Sequence, residues 1–161
     1  MARAKITKGE IQDKIAEGWI HMRSMIEVQG NNEAHIEKSL KDMVDLLKKE
    51  KGFALIEETY DKTQEIEGKD KWYSTMVDIE LMVNNFENLT KFSTQFSPSS
   101  LEILAPKEFN ITAQELQNTM LSISALITTF AQAAYLARVQ LKQVAAQLPV
   151  EKTQSGDKPK K

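Results

Sequence analysis

The sequence predicts an α+β domain in which an antiparallel sheet carries two helices on one face, with a short helix before it and one long helix after it. Three observations support this reading. Segments that alternate apolar and polar side chains are interleaved with segments spaced by three and four; glycine, asparagine and proline mark the junctions; and the C-terminal stretch repeats apolar residues at helical spacing without a break.

Gly9 to Gly18 carries Ile11 and Ile15 four residues apart, which puts two apolar side chains on one side of a short helix. From Trp19 to Val28 the period becomes two. Ile20, Met22, Ser24, Ile26 and Val28 share one strand face, and Trp19, His21, Arg23, Met25 and Glu27 share the other. Gly30 closes this strand and Asn31 or Asn32 supplies an N-cap. Ile36, Leu40, Met43, Val44 and Leu47 then recur at helical spacing until Gly52.

Phe53 to Thr59 is read as a second strand. A polar stretch from Glu65 to Lys71 leads to a third, Trp72 to Val83, so that a long hairpin forms. In it Thr75, Val77, Ile79, Leu81 and Val83 alternate with Ser74, Met76, Asp78, Glu80 and Met82. Asn85 caps a second helix with the stripe Phe86, Leu89, Phe92 and Phe96, and Pro98 forbids its continuation. Leu101 to Leu104 is a short strand. Thr112 and Glu115 make a capping box for the last helix, which runs to Leu148 before Pro149; the polar residues Pro149 to Lys161 are expected to be disordered.

Strand, helix, strand, strand, helix, strand is the split βαβ, or ferredoxin-like, order. Residues 19–111 are assigned to this domain, 1–18 to an N-terminal extension, 112–148 to a long heptad-patterned helix and 149–161 to a tail. A chain of 161 residues, 41% hydrophobic and 27% charged, suits one globular core. With 21 basic and 23 acidic residues it has no positive surplus for duplex nucleic acid. The absence of cysteine excludes disulfides, Cys-ligated zinc, iron–sulfur clusters and thiol nucleophiles. Met1 to Gly18 holds no apolar stretch of the secretory kind, so a cytoplasmic location is expected.

Two segments, Glu27-Val28-Gln29-Gly30 and Ser97-Pro98-Ser99-Ser100-Leu101-Glu102-Ile103, carry a resemblance. Over roughly residues 20 to 120 the chain resembles an uncharacterised, mainly archaeal family of small ferredoxin-like α+β proteins with a long C-terminal helix. The resemblance implies a fold and no activity. The uncharged extension of the final helix is the part most distinctive of this chain.

In that helix Leu116, Met120, Ile123, Ile127, Phe130, Ala134, Ala137, Leu141, Val144 and Leu148 alternate spacings of four and three, the a/d register of a coiled-coil seam. Leu116, Met120, Ile123, Ile127, Phe130, Leu141 and Val144 are its expected interface residues. At 1.5 Å per residue the helix exceeds about 50 Å, whereas a strand of six residues covers only about 20 Å. One sheet cannot shelter the whole seam, so part of it needs a neighbour, and a homo-oligomer is expected. The uncharged run Leu116 to Ala137 is also long enough to cross a hydrocarbon core. Against a span stand Gln117, Asn118, Thr119, Ser122, Ser124, Thr128, Thr129 and Gln132, whose polar groups lipid does not satisfy.

The open sheet face is expected to display Trp19, His21, Arg23 and Glu27 beside Asp78 and Glu80. A histidine with two carboxylates has the chemistry of a metal site or an acid–base pair, but the spacing matches no ligand motif, and a salt-bridged, solvated face is the expected state. An aromatic platform of Trp19, Met25, Trp72, Tyr73 and Met76 for nucleotides lacks the basic-aromatic strand of RNA-binding modules. No phosphate-cradling glycine loop, nucleophile elbow or zinc-protease helix is present. The expected function is a non-enzymatic module that binds protein and self-associates through its C-terminal helix, with no cofactor, metal or nucleic-acid partner. The second reading is a small-molecule-sensing regulatory domain with a pocket between the open sheet face and that helix.

Overall fold

A computed structural model describes residues 6–108 and 110–147 of the chain. Thr7 opens α1 (Lys8–Ala16) with a capping box: the Glu10 amide donates to its hydroxyl, and its own amide donates to the Glu10 carboxylate at 2.7 Å. Gly18, at φ 92°, reverses the chain, and the Trp19 amide donates to the Lys14 carbonyl. Trp19 is thus part of the helix terminus and the strand begins one residue later, which corrects the expectation that Trp19 stands on the sheet.

β1 (Ile20–Gly30) runs into α2 (Glu33–Lys49), whose N-cap Asn32 accepts from the His35 amide. β2 (Phe53–Tyr60), the two-residue β3 (Gln64–Glu65) and β4 (Tyr73–Val83) follow, then α3 (Phe86–Phe96) with Asn85 as N-cap, β5 (Ser100–Ala105) and α4 (Ala113–Gln147). The sheet is antiparallel throughout, in the order β2-β4-β1-β5, with β3 paired to β4. The helical connection from β1 to β2 therefore steps over β4, which is the split βαβ arrangement. The polar stretch gave no signal for β3, because a two-residue ladder has no apolar period to read.

Alternation sorts the two central strands. Ile20, Met22 and Ile26 of β1 and Val77, Ile79, Leu81 and Val83 of β4 are buried with Leu40, Val44 and Leu47 of α2 and Leu89, Phe92 and Phe96 of α3 in one core. The rings of Phe92 and Phe96 stack with centroids 5.5 Å apart. Buried Ser24 is satisfied by donating to the Ser100 carbonyl at 2.7 Å. Pro98-Ser99-Ser100 docks β5 from the other side, the Ser99 amide donating to the Met25 carbonyl at 2.8 Å. Met82 departs from the pattern: it lies in the outward phase of β4, between Ala54 and His21 in the register, yet is fully buried.

Two compact units are distinguished, residues 1–121 and 122–161. All core residues belong to the first. Leu148 of the heptad seam and the tail Pro149 to Lys161 lie outside the described residues.

The turn from α2 to β2 rests on Gly52, at φ 87°, whose carbonyl accepts from the Asn84 amide at 3.0 Å. An added Cβ there meets Asn84 Oδ1 at 2.8 Å and collides harder with Asn88 Nδ2. Gly68 has a similar φ, 80°, with nothing near its Cβ position. Gly68→Ala is expected to cost about 1 kcal/mol from conformation alone, and Gly52→Ala about 3 kcal/mol because steric conflict is added. Urea unfolding midpoints of the two variants provide the check; equal losses would mean that the asparagine pair gives way freely.

Candidate functional site

Two surfaces combine chemical character with accessibility: the sheet face turned away from α2 and α3, and the exposed sides of α4.

On the open face, β1 and β4 set Arg23 opposite Glu80 and Met25 opposite Asp78. The side chains bond along the diagonal instead. Arg23 Nε donates to Asp78 Oδ1 at 2.9 Å, and His21 Nε2 lies 2.7 Å from Glu80 Oε1. Such diagonals are within reach of long side chains on a twisted antiparallel pair. Hydrogen bonds from Arg23, reinforced by its charge, hold the Asp78 carboxyl below its ordinary range against the opposing effect of burial. Glu27 is lowered for a related reason, since Ser74 Oγ and Gln29 Nε2 both donate to it.

His21, Arg23, Glu27, Asp78 and Glu80 therefore share one face. Glu57 and Glu102 join them, each in the register row that holds Arg23 and Glu80. Sequence reasoning missed both. Strict alternation from Phe53 and Leu55 puts Glu57 on the core side, and the register shift between Leu55 and Glu57 moves it across. Among the described residues no group of three or more His, Asp and Glu side chains is arranged to hold a metal ion. The depression lined by Arg23, Ser24, Met25, Asp78, Ser100 and Glu102 is small and open, and its Arg23 and Asp78 are committed to each other.

The aromatic platform is not assembled. Trp19 precedes β1 and holds Lys14 over its ring at 3.9 Å, while Trp72 precedes β4, next to the Tyr73–Gly30 pair at the far end of the ladder. Tyr73 takes the phase of Val77, opposite to Met76. His35 is exposed on α2.

α4 starts with the predicted capping box. The Thr112 amide donates to the Glu115 carboxylate at 2.9 Å, and the Glu115 amide returns to the Thr112 hydroxyl at 3.2 Å. The Thr112 amide and hydroxyl both donate to the Glu115 carboxylate and hold that carboxyl low. Along the seam, Leu116 is 49%, Met120 50%, Ile127 62%, Phe130 62%, Leu141 70% and Val144 57% exposed, with Ile123 half-buried. Residues Ala113–Ala145 form a helix long and apolar enough, by length and composition, to cross a membrane, with mean hydropathy 1.5 in its most apolar window. All eight polar residues of the uncharged run fall off the a and d positions.

The family model described as MJ0538 family matches residues 21–157. The chain belongs to the MJ0538 family. The match spans both candidate surfaces and extends well past residue 120, so it covers the whole of α4. No curated protein and no solved structure matches the chain.

A carboxyl held below its ordinary value contributes stability that is complete above that value, near 3.8 for Asp78, and is lost as pH falls through the depressed one. Asp78→Asn is therefore expected to cost less than about 1 kcal/mol at neutral pH, as suits a partly exposed pair. Its stability should also fall less steeply than the parent's on acidification. Denaturant titrations across that range test this, and parallel pH profiles would remove the Arg23–Asp78 pair from the account.

Proposed function

We propose that the protein is a non-enzymatic assembly module in which the sheet domain presents a surface and α4 joins copies of the chain along its heptad seam. One observation carries this reading: the a/d row of α4 is unbroken from Leu116 to Val144 and, apart from half-buried Ile123, exposed. A contiguous apolar strip of this length is uncommon on a monomer and marks a surface that is covered in use. Burying it recovers roughly 25 cal/mol per Å² of apolar area. A helix of 35 residues is about 52 Å long and about 10 Å wide, so one covered side projects about 500 Å², the same order as the roughly 800 Å² per partner of a stable interface.

A second copy is the favoured occupant because the apolar row and the polar residues are segregated. The a and d positions carry only apolar side chains, and Gln117, Asn118, Thr128, Thr129 and Gln132 take the others. A coiled coil in water uses that division, whereas a single span in lipid offers no partner to the amides of Gln117 and Gln132. A cytoplasmic location follows from the same reading. Because the matched residues include α4, we infer that the long helix and its assembly role are family properties, as is the archaeal distribution that the resemblance implies.

Light scattering on the intact chain and on a chain stopped after Asn110 tests the proposal. The core residues run from Ile20 to Phe96, so the shorter chain retains its core and is expected to be monomeric, while the intact chain is expected to be larger. Ile127→Lys in the full chain should also give monomers with little loss of fold stability, since Ile127 is 62% exposed. An intact chain that is monomeric at all concentrations would rule the proposal out.

A further inference from the structure

Two rows of side chains run along α4. The first is the heptad seam. The second passes through Leu121, Ala125, Thr128, Gln132, Tyr135 and Val139, again at alternating spacings of four and three. A mean spacing of 3.5 keeps a row on one side of a helix, and these residues take the b and f positions, across the helix from a and d. Leu121 is 62% and Tyr135 68% exposed, and Leu136 beside them is 59% exposed. In a pair of helices joined only by the first seam this row faces water, where charged side chains are the rule. Leu116 to Ala137 carries none.

We propose that this second row is a further helix-contact face, filled by another copy of the chain, so that the assembly contains three or more copies and each α4 is covered on two sides. The inference rests on the reading that α4 self-associates. Covering a second side doubles the projected contact of each helix to about 1,000 Å². The first seam points the same way. Met120, Ile127, Ala134 and Leu141 take its a positions and Leu116, Ile123, Phe130, Ala137 and Val144 its d positions. Two-stranded coils favour branched residues at a and leucine at d; branched Ile123 and Val144 at d, with Leu141 at a, suit three or four strands.

The chemistry of the second row separates protein from lipid. Thr128 and Thr129 donate their hydroxyls to the Ser124 and Ala125 carbonyls at 3.0 and 2.9 Å, so both are satisfied within the helix. Gln132 sits in the middle of the row with an amide that offers two donors and an acceptor. Hydrocarbon satisfies none of these, while the same residue on another copy supplies both kinds of partner. A polar group within an otherwise apolar contact also fixes register between helices.

Sedimentation equilibrium in detergent-free buffer, on the intact chain and on Leu121→Lys/Tyr135→Lys, tests the inference. Three or more chain masses for the parent and two for the variant are expected. A dimeric parent overturns the second face and leaves the first seam standing, whereas a monomeric parent overturns both. A variant that keeps the parent's mass overturns the second face as well. Both sites are exposed in the single chain, so the variant is expected to keep the parent's circular dichroism; Tyr135→Ser is a milder change read by the same masses. Flotation of the intact chain with phosphatidylcholine vesicles would make lipid the occupant of the second row and overturn the inference.

Discussion

Eleven residues of β1 lie opposite eleven of β4, and in that register Ile20, Met22 and Ile26 face the helices together with Val77, Ile79, Leu81 and Val83. A slip of one residue would turn one strand's apolar set outward and carry charged residues such as Arg23 or Asp78 into the core. The other elements depend on this pairing. β2 and β5 add to its two sides, α2 and α3 cover its apolar face, and the diagonal bonds of His21 and Arg23 form only when the register is correct. The polar face thus acts with the core to define a single alignment, although the exposed Arg23–Asp78 ion pair contributes little by itself.

The helices differ in what they do with their apolar residues. α2 and α3 bury a stripe against the sheet: Ile36, Leu40, Val44 and Leu47 in one, Leu89, Phe92 and Phe96 in the other. α4 keeps its largest side chains exposed along most of its length, and Thr119 is its only fully buried residue among those described. An amphipathic helix of the first kind completes a domain. A helix of the second kind gains its stabilisation from whatever covers it, which is why the functional reading rests on α4 and not on the charged sheet face.

Much of the architecture was legible because its signals are local. Asn32, Asn85 and the Thr112–Glu115 pair cap the helices as their positions suggest, and the alternation in β1 and β4 names the core residues directly. The failures come from features with no local pattern. Trp19 continues the period of the strand, but a hydrogen bond to Lys14 claims its backbone for the helix terminus. Glu57 changes face through a bulge that alternation cannot register. Met82 is buried in an outward phase, which depends on neighbours on other strands. The candidate surfaces were half visible: the residues of the open face and the seam could be named, while their exposure required the folded chain.

The core closes with Phe96, and β5 ends at Ala105, before α4 begins. On the ribosome, where domains fold as units from the N-terminus, the sheet can therefore complete itself while the helix is still being synthesised. The sheet domain is then closed before the exposed apolar rows of α4 are made. This order of birth keeps the most apolar helix of the chain out of reach while the sheet strands are still unpaired.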